Sequence, residues 1–376
     1  MYCKSCGMDV VKGMNFCSQC GQKIEKNEEA HFYFEHTIRL DASRPSYQEL
    51  LELFFAPQKY FDSKERFSEP VFDKIFPTNP DYQKNHEVIK STRDFLPWNG
   101  WVFRGQQNAS WPLKTKFDRL YDNISLLSND KSKIRDKFEL EQSLIREFTR
   151  KDYMITRKSD SIPIYEVIAN MQHYGCATRF LDVSYSFFVA LFFACGNLEF
   201  SDKQGMFSIW CFNRMWIEKA YKKYLPEKIS ELYINDKFGK DPETQKTVME
   251  YFKDVRPENR NDIFKTVINM TPKNMNRRLV RQKGSFLIPT NPYLSFEDNI
   301  SSLVNNENAT HKILKINVQY DNLTIIYLQK FLDEMNINHT VLFDDETGLC
   351  DDINFKSRLP NDALVTDLRL NGEKEC

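Results

Sequence analysis

The order of apolar and polar residues along the chain predicts helices and strands that alternate. Apolar residues at helical intervals of three and four predict helices over 46–55, 138–151, 163–172 and 323–335. Short apolar runs beside glycine or proline predict strands over 100–106, 178–183, 206–212, 286–289 and 313–318. Because the two kinds of element are interleaved, we expect a mixed α/β (α+β) fold built around one mixed sheet.

One predicted helix, from Ser186 to Cys195, is apolar all round, so we expect it to be buried on every side. It ends a segment that begins at Gln172 and is dense in polar side chains around Gly175. These polar residues are His173, Arg179, Asp182, Ser184 and Ser186. Polar groups at the mouth of a rigid buried element favour a binding or catalytic site, so the chemistry is expected here.

The same pattern divides the chain into regions. Residues 25–45 are charged and predict a linker that enters an extended element. Residues 46–350 predict one large domain, interrupted at about 215–272 by a charged stretch with helical periodicity, which predicts a helical insertion. Residues 351–376 predict a loose C-terminal tail.

Composition limits the partners of the protein. The chain has 376 residues, 14% of them aromatic, which is enough for a sizeable core, and its net charge is −1. A charge near zero argues against bulk attraction to nucleic acid or to a membrane. A local basic run at 273–283 could still receive the phosphates of a dinucleotide or a nucleic acid, or form a solvated face. With no signal pattern and no apolar span, we expect a cytoplasmic protein without a membrane partner.

Four cysteines form two CxxCG turns at the N-terminus. Their positions are Cys3, Cys6, Cys17 and Cys20. Two such turns supply four thiolates for tetrahedral zinc and leave no open position, so residues 1–24 predict a structural zinc ribbon. A redox dithiol and a pair of disulfides are the alternatives, but the duplicated spacing and the expected reducing compartment disfavour them.

Several motifs resemble the FRG domain family. They are Phe103-Arg104-Gly105-Gln106, Gln172-His173-Tyr174-Gly175, Thr178-Arg179-Phe180-Leu181-Asp182, Ala190-Leu191-Phe192-Phe193-Ala194 and Arg281-Gln282-Lys283-Gly284-Ser285-Phe286. The resemblance covers about residues 90–350, with Ala177 where the family often has proline. Since the family occurs in bacterial and phage-related proteins, the resemblance implies a bacterial protein and a role in anti-phage defence.

A weaker resemblance is to ADP-ribosyltransferases, whose sites combine a strand-borne Arg-Gly, a serine-rich turn and a later glutamate. Arg104-Gly105 is similar to the first element and Asp182 to Ser186 to the second. This resemblance implies NAD as a substrate, with the arginine on its diphosphate or ribose. Gly284 stands where the glutamate is expected, so Asp182 or the distant Glu297 would have to supply the carboxylate.

Each candidate site residue also has a structural alternative. Arg104 could hold the ligand or pair with Asp182, and Arg179 could clamp a phosphate or pair with Asp182. His173 could be a general base or bond the backbone at a helix end. Asp182 could act in catalysis or cap the following helix, and the same ambiguity applies to its two neighbouring serines. Gln282 could orient a substrate amide or bond the backbone.

Two functions follow. In the first, the main domain binds a nucleotide-type ligand and performs ADP-ribosyl transfer or NAD cleavage, with Arg104, Arg179, Ser184 and Ser186 binding the ligand and His173, Asp182 and Gln282 acting in catalysis. In the second, the protein is a non-catalytic sensor or adaptor. Its zinc ribbon and basic run would then contact nucleic acid or a protein partner.

The zinc ribbon yields a direct test by metal analysis of the purified chain. We expect about one zinc ion per chain, and we expect Cys3→Ser or Cys17→Ser to lose it, because four thiolates together hold the metal. Cys350→Ser, at an isolated cysteine, is the control and should retain the zinc. A wild-type protein without bound metal would contradict the ribbon.

Overall fold

The structure is a computed structural model, and it describes part of the chain. The described residues are 32–40, 48–55, 98, 100–127, 134–151, 164–196, 198, 205–223, 265–272, 275–307, 309, 312–343 and 345–357. The predicted zinc ribbon, with its four cysteine ligands, lies outside them. So do most of the predicted linker and residues 224–264 of the predicted insertion.

Seven strands form one mixed sheet. They are β1 (Phe34–Arg39), β2 (Trp101–Gln106), β3 (Leu181–Ser184), β4 (Gly205–Asn213), β5 (Val267–Met270), β6 (Gly284–Pro289) and β7 (Ile313–Tyr320). Their order in the sheet is β1-β7-β4-β2-β3-β6-β5. The β1–β7 pair is parallel, and the other neighbours are antiparallel. The predicted mixed α/β class is therefore confirmed.

Helices cover both faces of the sheet. In the described part of the chain they are α1 (Gln48–Phe55), α2 (Lys116–Leu126), α3 (Lys137–Lys151), α4 (Ile164–His173), α5 (Phe187–Cys195), α6 (Arg214–Lys222), α7 (Arg277–Arg281), α8 (Phe296–Glu307), α9 (Asn322–Glu334), α10 (His339–Phe343) and α11 (Glu346–Ser357). No helix among the described residues is long and apolar enough to cross a membrane.

The core has two halves, one on each face of the sheet. Successive residues of a strand point to opposite faces. Val102 accordingly packs in one half, with α4, α6 and α8, and Phe103 packs in the other, with α5 and α9. Both side chains are almost completely buried. The strands at the centre of the sheet are therefore apolar on two sides.

Helix α5 lies directly against β2, and Gly105 makes this contact possible. A Cβ atom at Gly105 would lie 2.0 Å from the carbonyl oxygen of Ala190 and 2.6 Å from the amide nitrogen of Ala194. Both atoms belong to the backbone of α5, so neither can move without the helix. The predicted burial of α5 is confirmed, since seven of its residues are buried.

Most of the predicted elements are present within a few residues of their expected ends. The exceptions lie at domain boundaries. Strand β1 matches the extended element expected within residues 25–45, and because it pairs with β7 the main sheet begins before residue 46. Strand β5 falls inside the predicted helical insertion and pairs with β6. Helix α11 runs to Ser357, beyond the predicted start of the tail. The first two boundaries depended on strand pairing, which local periodicity does not record.

We expect Gly105→Ala to lower the free energy of unfolding by about 3 kcal/mol, because the new methyl group meets helix backbone on two sides. Urea unfolding of the full chain measures the loss. Gln107→Ala, two residues along the chain, is the control and should cost less than about 1 kcal/mol. A Gly105→Ala protein as stable as the wild type would show that α5 does not need this close approach.

Candidate ligand-binding site

The sheet opens between β2 and β3. These strands share a single registered pair, Phe103 with Ser184. On its other side β2 pairs with β4 over six residues, and β3 pairs with β6 over four. A cavity of about 610 Å³ lies beside this opening, which is a volume typical of sites for small organic ligands.

The cavity is lined from both faces of the sheet. Ala190 and Phe193 of α5 contribute from one face, and Ala169 and His173 of α4 contribute from the other. The cavity therefore passes through the gap between the two strands. Because each strand of the gap is anchored on its outer side by a regular ladder, the walls of the cavity are rigid.

The ionised groups on the cavity wall are mostly cationic. The cations are Arg104, Lys114, Arg119 and Arg278. Asp182 is the one carboxylate among the described residues of the lining. Lys114 is neutralised by Asp122, with Nζ 2.7 Å from Oδ2. Even with this pair, the wall carries an excess of positive charge, which favours an anionic ligand.

Arg104 is a partly buried cation without an ion pair among the described residues. Its Nη1 donates to the main-chain carbonyl of Asp182 at 2.8 Å, which spans the gap between β2 and β3. The internal pair expected between these two residues is therefore made with the carbonyl and not with the carboxylate. Burial lowers the pKa of Arg104, although the Asp182 carboxylate opposes this change. Its Nε atom is buried and has no hydrogen-bond partner among the described residues.

Asp182 does not cap the helix that follows it. It lies within β3, and Ser186 is the N-cap residue of α5, with Oγ accepting from the amide of Val189 at 3.4 Å. The capping role proposed for Asp182 from sequence was therefore wrong. The strand continues two residues beyond Asp182, so the next suitable polar side chain takes the cap. The Asp182 side chain is exposed and lines the cavity.

The two serines hold the turn in place. Ser184 Oγ donates to the carbonyl of Gln282 at 2.7 Å and accepts from the amide of Ser186 at 3.0 Å. Gln282 in turn donates from Nε2 to the carbonyl of Leu342 at 3.3 Å. Ser184 and Gln282 line the cavity, whereas Ser186 does not. Ser184 and Gln282 thus form the hydrogen bonds to the backbone that were their structural alternatives. These bonds connect β3, α7 and α10 around the site.

His173 is the last residue of α4 and lines the cavity. Burial lowers its pKa from the ordinary value of 6.5, and the nearby Arg278 lowers it further, while Asp345 opposes the shift. The imidazole is therefore neutral at pH 7 and able to accept a proton. It is the one imidazole among the described residues of the wall.

Arg179 lies away from the cavity. Its Nε is 2.9 Å from Oε1 of Glu141, and both side chains are at least nine-tenths buried. The pair proposed between Arg179 and Asp182 is therefore replaced by a pair with Glu141. The phosphate-clamp role of Arg179 stays a prediction, and Arg179 is not among the residues that line the cavity. Glu141 belongs to α3, and its distance from Arg179 in sequence hid the pair.

Comparison with protein families identifies the segment that contains this opening. Residues 99–203 match the FRG domain. The matched segment contains β2, α4, β3 and α5 but covers less than a third of the chain. No curated protein and no solved structure matches the chain. The Arg-Gly pair of the FRG segment thus has two structural roles, since Gly105 admits α5 and Arg104 bridges the gap.

Gly284, where a glutamate was expected from the sequence, lies outside the FRG match. A Cβ atom at Gly284 would lie 2.3 Å from Cδ1 of Leu279, a residue of α7. A side chain at this position would have to displace that of Leu279. Strand β6 contributes no carboxylate to the described lining of the cavity, where Asp182 is the one carboxylate.

Sequence reasoning missed three residues of the FRG segment that line the cavity: Trp111, Lys114 and Arg119. Helix α2 and the loop before it carry them. A capping box starts this helix, with Thr115 Oγ1 and the Asp118 carboxylate each accepting from the other's amide. The Thr-x-x-Asp spacing is visible in the sequence and was the signal that could have located this helix.

Substitution of Arg104 and of Arg179 should change the stability of the protein by different amounts. We expect Arg104→Met to change the free energy of unfolding of the ligand-free protein by less than about 1 kcal/mol, because no carboxylate loses an ion pair. Arg179→Met should cost about 3 kcal/mol or more, because Glu141 is then buried without its cation. Urea unfolding measures both changes.

Adding Glu141→Leu to Arg179→Met is the matched control, and it should recover most of the loss, because no buried charge is then unpaired. An Arg104→Met protein as unstable as Arg179→Met would show that Arg104 serves the fold and not a ligand.

Proposed function

We propose that the cavity binds a nucleotide-type ligand, with NAD as the candidate, and that the protein performs ADP-ribosyl transfer or NAD cleavage. A physiological role in anti-phage defence is consistent with the FRG match but is part of this proposal. The zinc ribbon would serve as a separate structural unit. The proposal concerns the FRG segment together with α7 and β6.

The observation that carries the ligand proposal is Arg104. A buried guanidinium is normally stabilised by a carboxylate, as Arg179 is by Glu141. Arg104 has no such pair among the described residues, yet it is held in one orientation by the Asp182 carbonyl. An anionic group of a ligand would supply the missing partner, and a diphosphate fits because arginine binds phosphate oxygens in a bidentate manner.

The other lining residues support a nucleotide over a simple anion. The cavity of about 610 Å³ is much larger than a phosphate ion requires. Phe103, Trp111, Phe193 and Phe286 contribute aromatic side chains to its wall. Aromatic side chains provide flat apolar surface for a base or a nicotinamide ring, and the cations provide the charge that the phosphates need.

Asp182 is the residue that could assist cleavage of the nicotinamide–ribose bond. In that reaction the bond from C1′ to the nicotinamide nitrogen breaks, and nicotinamide leaves with the electron pair. The positive charge that develops on the ribose is stabilised by a carboxylate. Two observations support this role: the Asp182 side chain lines the cavity, and its main-chain carbonyl accepts a hydrogen bond from Arg104.

His173 would accept the proton of the attacking group. Water or an acceptor hydroxyl or amine forms the new bond to C1′ and releases one proton, which leaves ADP-ribose or an ADP-ribosylated acceptor together with nicotinamide. Because the pKa of His173 is lowered, its base form dominates at neutral pH and is lost only as the pH falls below the ordinary imidazole value. Gln282 and Ser184 would position the surrounding turn.

The second candidate function is a non-catalytic sensor that binds the same ligand. Gly284 favours it, because β6 supplies no carboxylate at the position where a glutamate would assist cleavage. In this case the ligand would occupy the cavity without being cleaved. Measurements of binding and of turnover on the same protein separate the two candidates.

For the test, full-length protein is incubated with NAD labelled in its adenosine part, with protein and nucleic-acid acceptors present. Free nicotinamide and the labelled products are measured, and NAD binding is followed by calorimetry. We expect Asp182→Asn to lower turnover about 100-fold while retaining binding, because the lost charge acts on the transition state. Arg104→Gln should weaken binding at least about tenfold, because it removes the charged donor.

Glu147→Gln, at an exposed carboxylate on α3, is the control and should change neither measurement. NAD binding without consumption under these conditions would favour the sensor. The absence of NAD binding to the wild-type protein would contradict both candidates.

A further inference from the structure

We propose that the mouth of the cavity is a binding surface for single-stranded nucleic acid, with unpaired bases stacking on exposed aromatic residues and phosphates lying along a basic rim. We define the basic rim as the exposed cations beside the cavity on α2 and on α7 and its following turn. They are Lys116, Arg119, Arg277, Arg281 and Lys283. This surface goes beyond the proposed nucleotide site and does not require that NAD be the ligand.

The two halves of the basic rim face the same opening. Arg119 of α2 and Arg278 of α7 both line the cavity, so the two helices border it together. Lys116 Nζ donates to the carbonyl of Gly175, which ties α2 to the end of α4. Cations therefore border the mouth on two sides. The net charge of −1 for the whole chain hides this local concentration.

Most of the rim cations lack an ion pair within the described part of the chain. Arg281 donates from Nη1 to the carbonyl of Val341 at 3.1 Å. The other four rim cations form no ion pair among the described residues. Asp122 is paired with Lys114, which lines the cavity, and Asp182 lies on the cavity wall. An extended polyanion fits several unpaired cations better than a single phosphate does.

Two aromatic side chains project beside these cations. Trp111 lines the cavity and is 50% exposed, and Tyr174 is 69% exposed at the end of α4. The ring centres of Tyr174 and His173 are 4.9 Å apart, and His173 lines the cavity, so Tyr174 lies next to the cavity wall. Large aromatic side chains with this exposure are available for stacking.

Aromatic residues interleaved with cations distinguish single strands from duplexes. Every unpaired base offers a flat face to a tryptophan or tyrosine, whereas the bases of a duplex are stacked on each other and out of reach. The cavity behind the rim is also large enough to receive one unstacked base. We therefore expect single strands to bind more tightly than duplexes of the same sequence.

Fluorescence anisotropy of the full-length protein provides the test. The probes are labelled single strands of about 12 nucleotides, as DNA and as RNA, and the corresponding duplex DNA. We expect both single strands to bind at about 50 mM salt and to dissociate as salt rises. Trp111→Ala should weaken binding about tenfold, because a stacking platform is lost. Arg277→Gln should reduce the slope of log affinity against log salt by about 0.7.

The matched controls are an exposed arginine and an exposed tyrosine that do not line the cavity. Arg150 on α3 has a side chain that is 71% exposed, and Tyr327 on α9 is 49% exposed. Arg150→Gln and Tyr327→Ala should leave the affinity unchanged. Since Arg277 does not line the cavity, Arg277→Gln should also leave NAD binding unchanged, which separates this surface from the nucleotide site.

Three results would overturn the proposal: no binding of either single strand at low salt, equal affinity for the duplex, or unchanged affinity in both Trp111→Ala and Arg277→Gln. In the last case the nucleic acid binds elsewhere on the chain. Loss of single-strand binding in these two variants alone would support the surface, even if the wild-type protein showed no affinity for NAD. That combination would contradict the proposed function and leave this inference standing.

Discussion

The close approach of α5 to β2 at Gly105 is the constraint on which the candidate site depends. Backbone atoms of α5 occupy the space that any side chain at this position would need. The helix therefore covers one face of the opening between β2 and β3. On the other face the adjacent residue, Arg104, reaches across to the Asp182 carbonyl. One dipeptide thus sets both the packing and the charge of the gap.

The burial of Arg104 links the fold to the proposed function. Removing a guanidinium from water is costly unless an anion compensates it. The structure meets this cost for Arg179 with Glu141 but leaves Arg104 with a carbonyl and a neighbouring carboxylate. A partly buried cation without an ion pair is available to an anion, which is the basis of the proposed function. The two arginines, both within the FRG segment, therefore differ in what surrounds them.

Helix α7 connects the interior of the site with its surface. Leu279 of this helix fills the space beside Gly284, so a side chain at that position would have to displace it. Arg278 lines the cavity and packs over the ring of Phe343, with the guanidinium carbon 4.6 Å from the ring centre. Arg277 lies exposed at the rim. The basic run noted in the sequence therefore divides, with part of it in the cavity and part of it on the surface.

The sequence by itself determined the elements whose signal is local. The apolar run of α5, the strand that carries Arg104, and the polar turn from His173 to Ser186 were all predictable, because periodicity and composition are properties of neighbouring residues. The two CxxC motifs predict zinc from their spacing alone, and this stays a prediction because they lie outside the described residues. Tertiary structure alone decided the partners of these residues. Arg179 pairs with Glu141, β1 joins β7, and Lys114 and Arg119 reach the cavity, because burial and pairing bring together segments that lie far apart along the chain.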